Sequence, residues 1–274
     1  MPSFGGRESP RADGAQRRGR RRRRLSRGLT TLGAVLIGYS VLIVVRGDPI
    51  TGLYARWQQA RLAAALERQL ARDREPWAVR QTLVARRVDR ARSERARELA
   101  AVRTAAAVDR RRTRLGDAMG RIVIPQLGLN AVFVDGTRWA EDLSRGPGRY
   151  TQTSFPGLGL VTGIAAHRTT FGAWFRHIDD LRKGDVVYVW MPYGRFTYRV
   201  VGHRVVSAED WSIIRPRAYP ELFLSACHPL FSATHRWVVF ARLTSIRTPD
   251  GRWLSVRAGR RSHDARRALQ KRTL

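Results

Sequence analysis

From Met119 onward the chain reads as short β-branched runs, each cut off by glycine or proline. RIVIPQLG, AVFVDG, GLVTGIAAH, DVVYVWMPYG, RFTYRVVGHRVV, ELFLSAC and RWVVFARLTSI follow one another with turn residues between them. Valine, isoleucine and aromatic residues suit a pleated, half-buried surface. Runs at this spacing predict an all-β barrel or sandwich. Two short helical pieces are expected to interrupt it, near Trp139–Ser144 and Phe171–Leu181. A segment of roughly 130 residues buries enough apolar surface to fold without disulfides or metal.

The chain before this segment has a different composition. Residues 1–28 are arginine, glycine, proline and serine with little apolar content, and a disordered, basic tail is expected there. Residues 29–45, LTTLGAVLIGYSVLIVV, carry no charge. At about 1.5 Å per residue the run is slightly short for a bilayer core of about 30 Å, which flanking side chains make up by snorkelling. Arginines crowd residues 17–27, whereas only Arg46 and Arg56 lie in the first stretch beyond the run. The positive-inside rule then puts the N-terminus in the cytoplasm and everything after the run outside. Within 46–117, residues 51–115 are rich in alanine, arginine, glutamate, leucine and glutamine, all strong helix formers. They predict helices over about 51–73 and, with Pro76 in its first turn, about 76–114. The apolar stripe Val84, Val88, Ala91, Leu99, Val102 and Ala106 is broken by Arg95, so a solvated helical stalk is expected rather than a coiled coil. After a β segment at 118–250, residues 251–274 read as a loose basic tail.

The net charge is +30 and is almost wholly arginine, since Lys183 and Lys271 are the only lysines. Such a charge implies affinity for polyanions, whether lipid, wall polymer or nucleic acid. The N-terminal arginines are expected to flank a membrane span and contact lipid. No patterned aromatic and basic base-reading elements mark the chain as a specific nucleic-acid binder. No phosphate loop, dinucleotide fingerprint or zinc spacing is present, and no cofactor is expected.

A single cysteine, Cys227, ends the run ELFLSAC, and it excludes an internal disulfide or a multi-cysteine metal site. Arg236 starts the next run, and His167 ends an earlier one. A thiol, an imidazole and a guanidinium at strand ends make an acyl-transfer set: the thiol attacks a carbonyl, the imidazole exchanges protons and the cation steadies the oxyanion. Each has a plainer role if read alone. A lone strand cysteine is usually inert packing. His228 follows the cysteine but alternates to the other face. His177 and His203 read as surface or packing residues, and the cluster Asp179, Asp180 and Asp185 as helix capping and a turn rather than a cation site.

Residues 118–248 resemble the sortases, cysteine transpeptidases of Gram-positive surfaces. RIVIPQLGL with VDGT (121–129, 134–137), LSRGPGRYTQTSFPGLG (143–159), GIAAHRTTFGAWFRHIDDLRKGDVVYV (163–189) and LFLSACHPLFSATHRWVV (222–239) stand in the family's order. The Cys-His-Pro triplet and the short cysteine-to-arginine spacing look most like class E of high-GC actinobacteria. The resemblance implies a closed β-barrel and a catalytic set of Cys227, His167 and Arg236. It also implies cleavage of a C-terminal sorting signal, LAXTG- or LPXTG-like, between Thr and Gly, and likeness to class E favours the LAXTG form. The partners implied are sorting-signal-bearing surface proteins and a peptidoglycan precursor or other amine acceptor. Ala226 stands where the family has Thr, Ala166 where it has Gly, and Trp174 where Pro is common. None of these removes a reacting group. The other reading is a membrane-tethered binding module on a sortase-like barrel, working through its basic surface.

Overall fold

The computed structural model describes residues 11–46, 48–72, 93–215 and 219–256. The chain divides into two compact units, residues 1–46 and 47–274.

The first unit is helix α1 (Arg11–Arg46). Its stretch Arg24–Val45 is apolar and long enough to cross a membrane, and none of that stretch is buried. The helix starts inside the segment expected to be disordered, while residues 1–10 lie outside the described residues. Arginine is a good helix former, and extending an existing helix fixes only one residue per hydrogen bond. The apolar run therefore carries the helix backward into the arginines.

The second unit is a β-barrel with two helices laid on it. The strands are β1 (Ala118–Ile124), β2 (Leu129–Asp135), β3 (Gly148–Arg149), β4 (Thr162–Ala165), β5 (Val186–Met191), β6 (Gly194–Ser207), β7 (Glu221–His228), β8 (His235–Arg247) and β9 (Trp253–Ser255). They run in the order β6-β5-β1-β2-β3-β4-β7-β8, and β8 pairs with β6 to close an eight-stranded barrel. β9 pairs with the far end of β8, beyond the stretch that β7 occupies. Most pairs are antiparallel, but β2 with β3 and β4 with β7 are parallel. The long strand β6 shifts register against β8 at Thr197/Tyr198 and at Val200/Gly202. Such bulges bend a strand and let a sheet curl closed.

Alternate residues of each strand fill the barrel. Ile122, Phe133, Ile164, Val189, Phe196, Leu222, Leu224 and Val239 belong to one buried cluster. A second, smaller cluster lies on the other side of β7 and β8, from Val161, Val206, Ile213, Phe223, Val238 and Phe240. The short helical pieces expected near 139–144 and 171–181 are a π-helical turn at Trp139–Leu143 and a 3-10 turn at Ile178–Asp180.

Helices α2 (Pro49–Arg72) and α3 (Glu94–Arg112) do not form a solvated stalk. Leu62 and Leu66 of α2 pack on Ala118, Val132 and Val134 of the barrel wall. Gln59 pins the helix further: its Nε2 donates to the carbonyls of Val132 and Arg145, and its Oε1 accepts from the Val132 N–H. Val102, Ala105 and Ala106 of α3 join the main core, and burying a valine side chain stabilises by about 1.5–3 kcal/mol. Small residues at these positions let the helix backbone approach the sheet, a role that a coiled-coil template does not register. Arg252 also clamps β9 to α3 through Glu94 and Glu98, at 3.0 and 2.6 Å. Residues 251–256 therefore belong to the barrel unit and not to a loose tail: Leu254 is buried in the core, and Trp253–Ser255 pair with β8. The upstream stripe residues Val84, Val88 and Ala91, and the tail from residue 257, lie outside the described residues. All three apolar clusters are drawn from residue 62 onward, so residues 47–274 contain their own core.

Candidate active site

Sheet register brings the three predicted residues together. Cys227 of β7 is directly opposite Arg236 of β8. On the other side of β7, Ala165 of β4 is paired in parallel with Ser225, and the Ala166 N–H donates to the Ser225 carbonyl at 3.2 Å. Two residues past that pair stand His167, just beyond the end of β4, and Cys227, on β7. Neighbouring strands lie about 4.8 Å apart, so the three residues are side by side across three adjacent strand ends.

They also share a face. Leu222, Leu224 and Ala226 point into the barrel with Ile164 and Ala166, so residues alternating with them point out. Cys227, Ser225 and His167 therefore lie on the outer face, in line with Phe223 of the second cluster. Cys227 is a half-buried free thiol. The departure at 226 now has a place. Ala226 is buried in the barrel interior, so the missing threonine hydroxyl would have faced the core rather than the outer face that carries Cys227.

His167 is buried beneath aromatic rings. The Trp139 ring lies 5.9 Å from its imidazole, nearly edge-on, and Phe171 lies 5.5 Å away. Burial pushes its pKa down to about 4, against a smaller upward pull from a hydrogen bond to the Trp139 backbone. A bond that favours the protonated form is one in which the ring donates. Nε2 is buried and has no hydrogen-bond partner among the described residues.

The loop after His167 is held in a costly conformation. Phe171, Gly172 and Ala173 all have positive φ, at 48°, 83° and 45°. For non-glycine residues this region costs about 1–3 kcal/mol each and persists only where surrounding structure imposes it. A Cβ at Gly172 would also meet the Trp174 ring at 3.0 Å. The imposing contacts come from the start of α2. The Asp48 N–H donates to the Thr169 carbonyl at 3.0 Å, the Phe171 N–H donates to Thr51 Oγ1 at 2.8 Å, and the Tyr54 ring packs on Phe171 at 6.3 Å.

Arg236 is partly exposed, and its Nη1 donates to the carbonyls of Ala233 and His235 at 2.8 and 3.0 Å. These bonds hold the guanidinium over the β7–β8 turn.

Two residues that sequence reading passed over also enter the site. Arg168 is buried and joins its parts. It pairs with Asp179 at 2.7 Å, donates to the Arg176 carbonyl at 3.0 and 3.2 Å, and reaches the Cys227 carbonyl and His228 Nδ1 at 3.5 Å. Its signal was its place directly after His167 in a buried segment, where an unpaired arginine would be untenable. Tyr150, at the end of GPGRY, donates to Ser225 Oγ at 3.3 Å. Burial raises its pKa, and the Ser225 bond and the nearby Arg236 charge partly offset that. The remaining candidates have local partners. Asp179 pairs with Arg168, Asp180 faces His177 at 3.4 Å, and Asp185 Oδ2 accepts from the Arg182 N–H. His203 stacks on Trp237 at 4.6 Å, and His228 packs on the same ring at 5.3 Å.

Known proteins carry the same domain. Residues 122–244 match the model of the sortase domain. The chain is 32% identical over 131 residues to sortase D of Bacillus subtilis, covering 46% of this chain and 64% of that protein. It is 26% identical over 147 residues to sortase SrtE1 of Streptomyces coelicolor, covering 48% of this chain and 42% of that protein. The chain thus spans about two-fifths to just under two-thirds of these relatives. Among solved structures, sortase E1 of Streptomyces coelicolor with a tripeptide in its active site aligns at TM-score 0.47 and 25% identity, over 49% of this chain and 93% of that one. Sortase E of Streptomyces avermitilis aligns at 0.46 and 29%, over 50% and 94%. The barrel thus carries a sortase domain over residues 122–244.

Proposed function

We propose that the protein is a membrane-anchored cysteine transpeptidase that cleaves a sorting signal between Thr and Gly and passes the acyl group to an amine. One observation carries this reading: the only thiol, an unpartnered imidazole nitrogen and a guanidinium lie on one face of three neighbouring strand ends. In this reading the Cys227 proton passes to His167 Nε2, and the sulfur attacks the threonine carbonyl. Arg236 donates to the oxyanion. The imidazolium then gives its proton to the departing glycine amine as the C–N bond breaks, leaving a thioester. An incoming amine loses a proton to His167, attacks the thioester and releases Cys227. The second apolar cluster, on the outer side of β7 and β8 near Cys227, supports an extended peptide lying along that face.

The same reading takes α1 over residues 29–45 as the membrane span, with a cytoplasmic N-terminus and the catalytic barrel outside, facing the cell wall. The signal preferred is LAXTG-like, and the acceptor is a peptidoglycan precursor or another wall amine. Residues 47–274 are to be incubated with LAXTG and LPXTG peptides and an added amine. Thioester and amide product from the wild type, and neither from Cys227→Ala, is the expected result. A folded wild-type protein that forms no thioester with either peptide would leave the binding-module reading in its place.

A further inference from the structure

Helix α2 has two used faces, and only one of them meets the barrel. Ala55, Gln59, Leu62 and Leu66 face inward. On the opposite side Ile50, Leu53 and Trp57 recur at three- and four-residue intervals and are 68%, 72% and 53% exposed. The same line of the helix continues through Arg61 and Arg68. The Arg61 guanidinium lies over the Trp57 ring at 4.7 Å. Beside it Arg61, Arg68 and Arg145 line a groove of about 600 Å³. The outward face therefore grades from apolar and aromatic at its start to cationic further on.

We propose that this face of α2 docks on the surface of an anionic bilayer. The proposal takes the place of α2 from the reading of α1 as a membrane span. Pro49, the first residue of α2, comes three residues after Arg46, the last of α1. The apolar stripe is thus tethered within a few residues of the point where the chain leaves the hydrocarbon. Exposed leucine, isoleucine and tryptophan on one helical face, with arginine alongside, are what an interfacial helix presents to lipid. Tryptophan in particular settles at headgroup level. The arginines complement phosphate headgroups and not another copy of this chain, whose net charge is +30. Docked in this way, the barrel lies against the membrane rather than at the end of a spacer. The first turn of the docked helix is also the turn that grips the His167 loop through Asp48 and Thr51.

The test uses residues 47–274, which hold their own core, and vesicles either of equal parts phosphatidylglycerol and phosphatidylcholine or of phosphatidylcholine alone. The protein should sediment with the anionic vesicles and much less with the neutral ones. Leu53→Ser with Trp57→Ser should weaken binding about tenfold or more. Arg61→Gln and Arg68→Gln should each weaken it about fivefold. Trp253→Ser, at an equally exposed tryptophan on β9, should leave it unchanged. A second arm uses the full chain in the same vesicles, with Cys227→Ala and a spin label on Leu53→Cys. The label should be open to oxygen and shielded from a water-soluble nickel chelate. Unchanged binding by the Leu53/Trp57 variant, or lipid-independent self-association through this face, would overturn the proposal. The sedimentation arm contains neither α1 nor any catalytic step. Its failure is therefore distinct from an α1 that washes out of the membrane or a barrel that forms no thioester.

Discussion

Cys227 and Arg236 are placed by a sheet, and His167 is placed by everything around a sheet. The first two are direct partners in the antiparallel β7–β8 ladder, so backbone hydrogen bonds alone set them opposite each other. β4 ends at Ala165, and past it His167 depends on the Trp139 turn, the strained 171–173 loop and the first turn of α2. A ladder is stiff and local in its causes. A packed loop draws its geometry from three separate parts of the chain, so the imidazole is the member of the set whose position and pKa can be tuned. Arg168 couples the two regions, since it sits beside the histidine, pairs with Asp179 and reaches the Cys227 carbonyl.

The largest expected effect breaks the stiff side. Cys227→Ala should remove thioester formation and amide product entirely, as no other thiol exists in the chain, and leave the melting temperature nearly unchanged because the residue is only half-buried. Arg236→Lys keeps the charge but loses the planar fork, and should lower kcat by about 10²-fold with thermal stability intact. Retained kcat in that variant would mean that the fork does not meet the oxyanion.

Arg168→Met tests the coupling between regions. Removing the guanidinium strands Asp179, which is partly exposed, and frees the Cys227 carbonyl. It should cost about 1–3 kcal/mol in urea unfolding and lower kcat more than it raises KM. Arg168→Lys should recover the stability in part but not the rate. A variant that loses stability with kcat unchanged would assign Arg168 to the fold alone.

The tunable side should show itself in pH. His167 has a folded pKa of about 4, below the ordinary value near 6.5. Between those values the unfolded chain binds a proton that the folded one does not, so stability should fall as pH drops from about 6.5 toward 4. The difference is at most about 3 kcal/mol. His167→Gln should flatten that part of the stability curve, and a curve unchanged by the substitution would mean that another group is responsible. Trp139→Ala should open the ring to water and move the imidazole pKa, followed by NMR, back up toward 6.5. The smallest expected effect is Thr51→Val, which removes the acceptor for the Phe171 N–H and should cost about 1 kcal/mol. It should also raise the imidazole pKa by less than Trp139→Ala does.

Much of the barrel was legible because strand signals are local. β-branched runs and glycine turns mark the strands, and β1 starts at Ala118 where the expected β segment begins. The residue types of the candidate site were legible too, since the one cysteine stands out, but read alone Cys227, His167 and Arg236 each have a plainer role, and the family resemblance is what singled them out. Among the described residues the expected helices are present as α2 and α3, but both lie on the barrel and not in a solvated spacer. Their buried face mixes Leu62 and Val102 with Gln59, Ala105 and Ala106, and these small or polar members make the stripe look too weak to bury until a barrel lies beneath it. Arg168 was passed over because a buried arginine is recognised by its partners, and Asp179 and the Cys227 carbonyl meet it only once the loop and the sheet are folded.

The sequence by itself determined the residue types, the strand segments and the apolar run before them, because propensity and hydropathy act over a few neighbouring residues. Only the tertiary structure decided that β4 lies parallel to β7, which sets His167 beside Cys227, and that α2 rests on the barrel with its first turn on the histidine loop. Both depend on contacts between segments far apart in the chain, and their energy exists only once the barrel has closed.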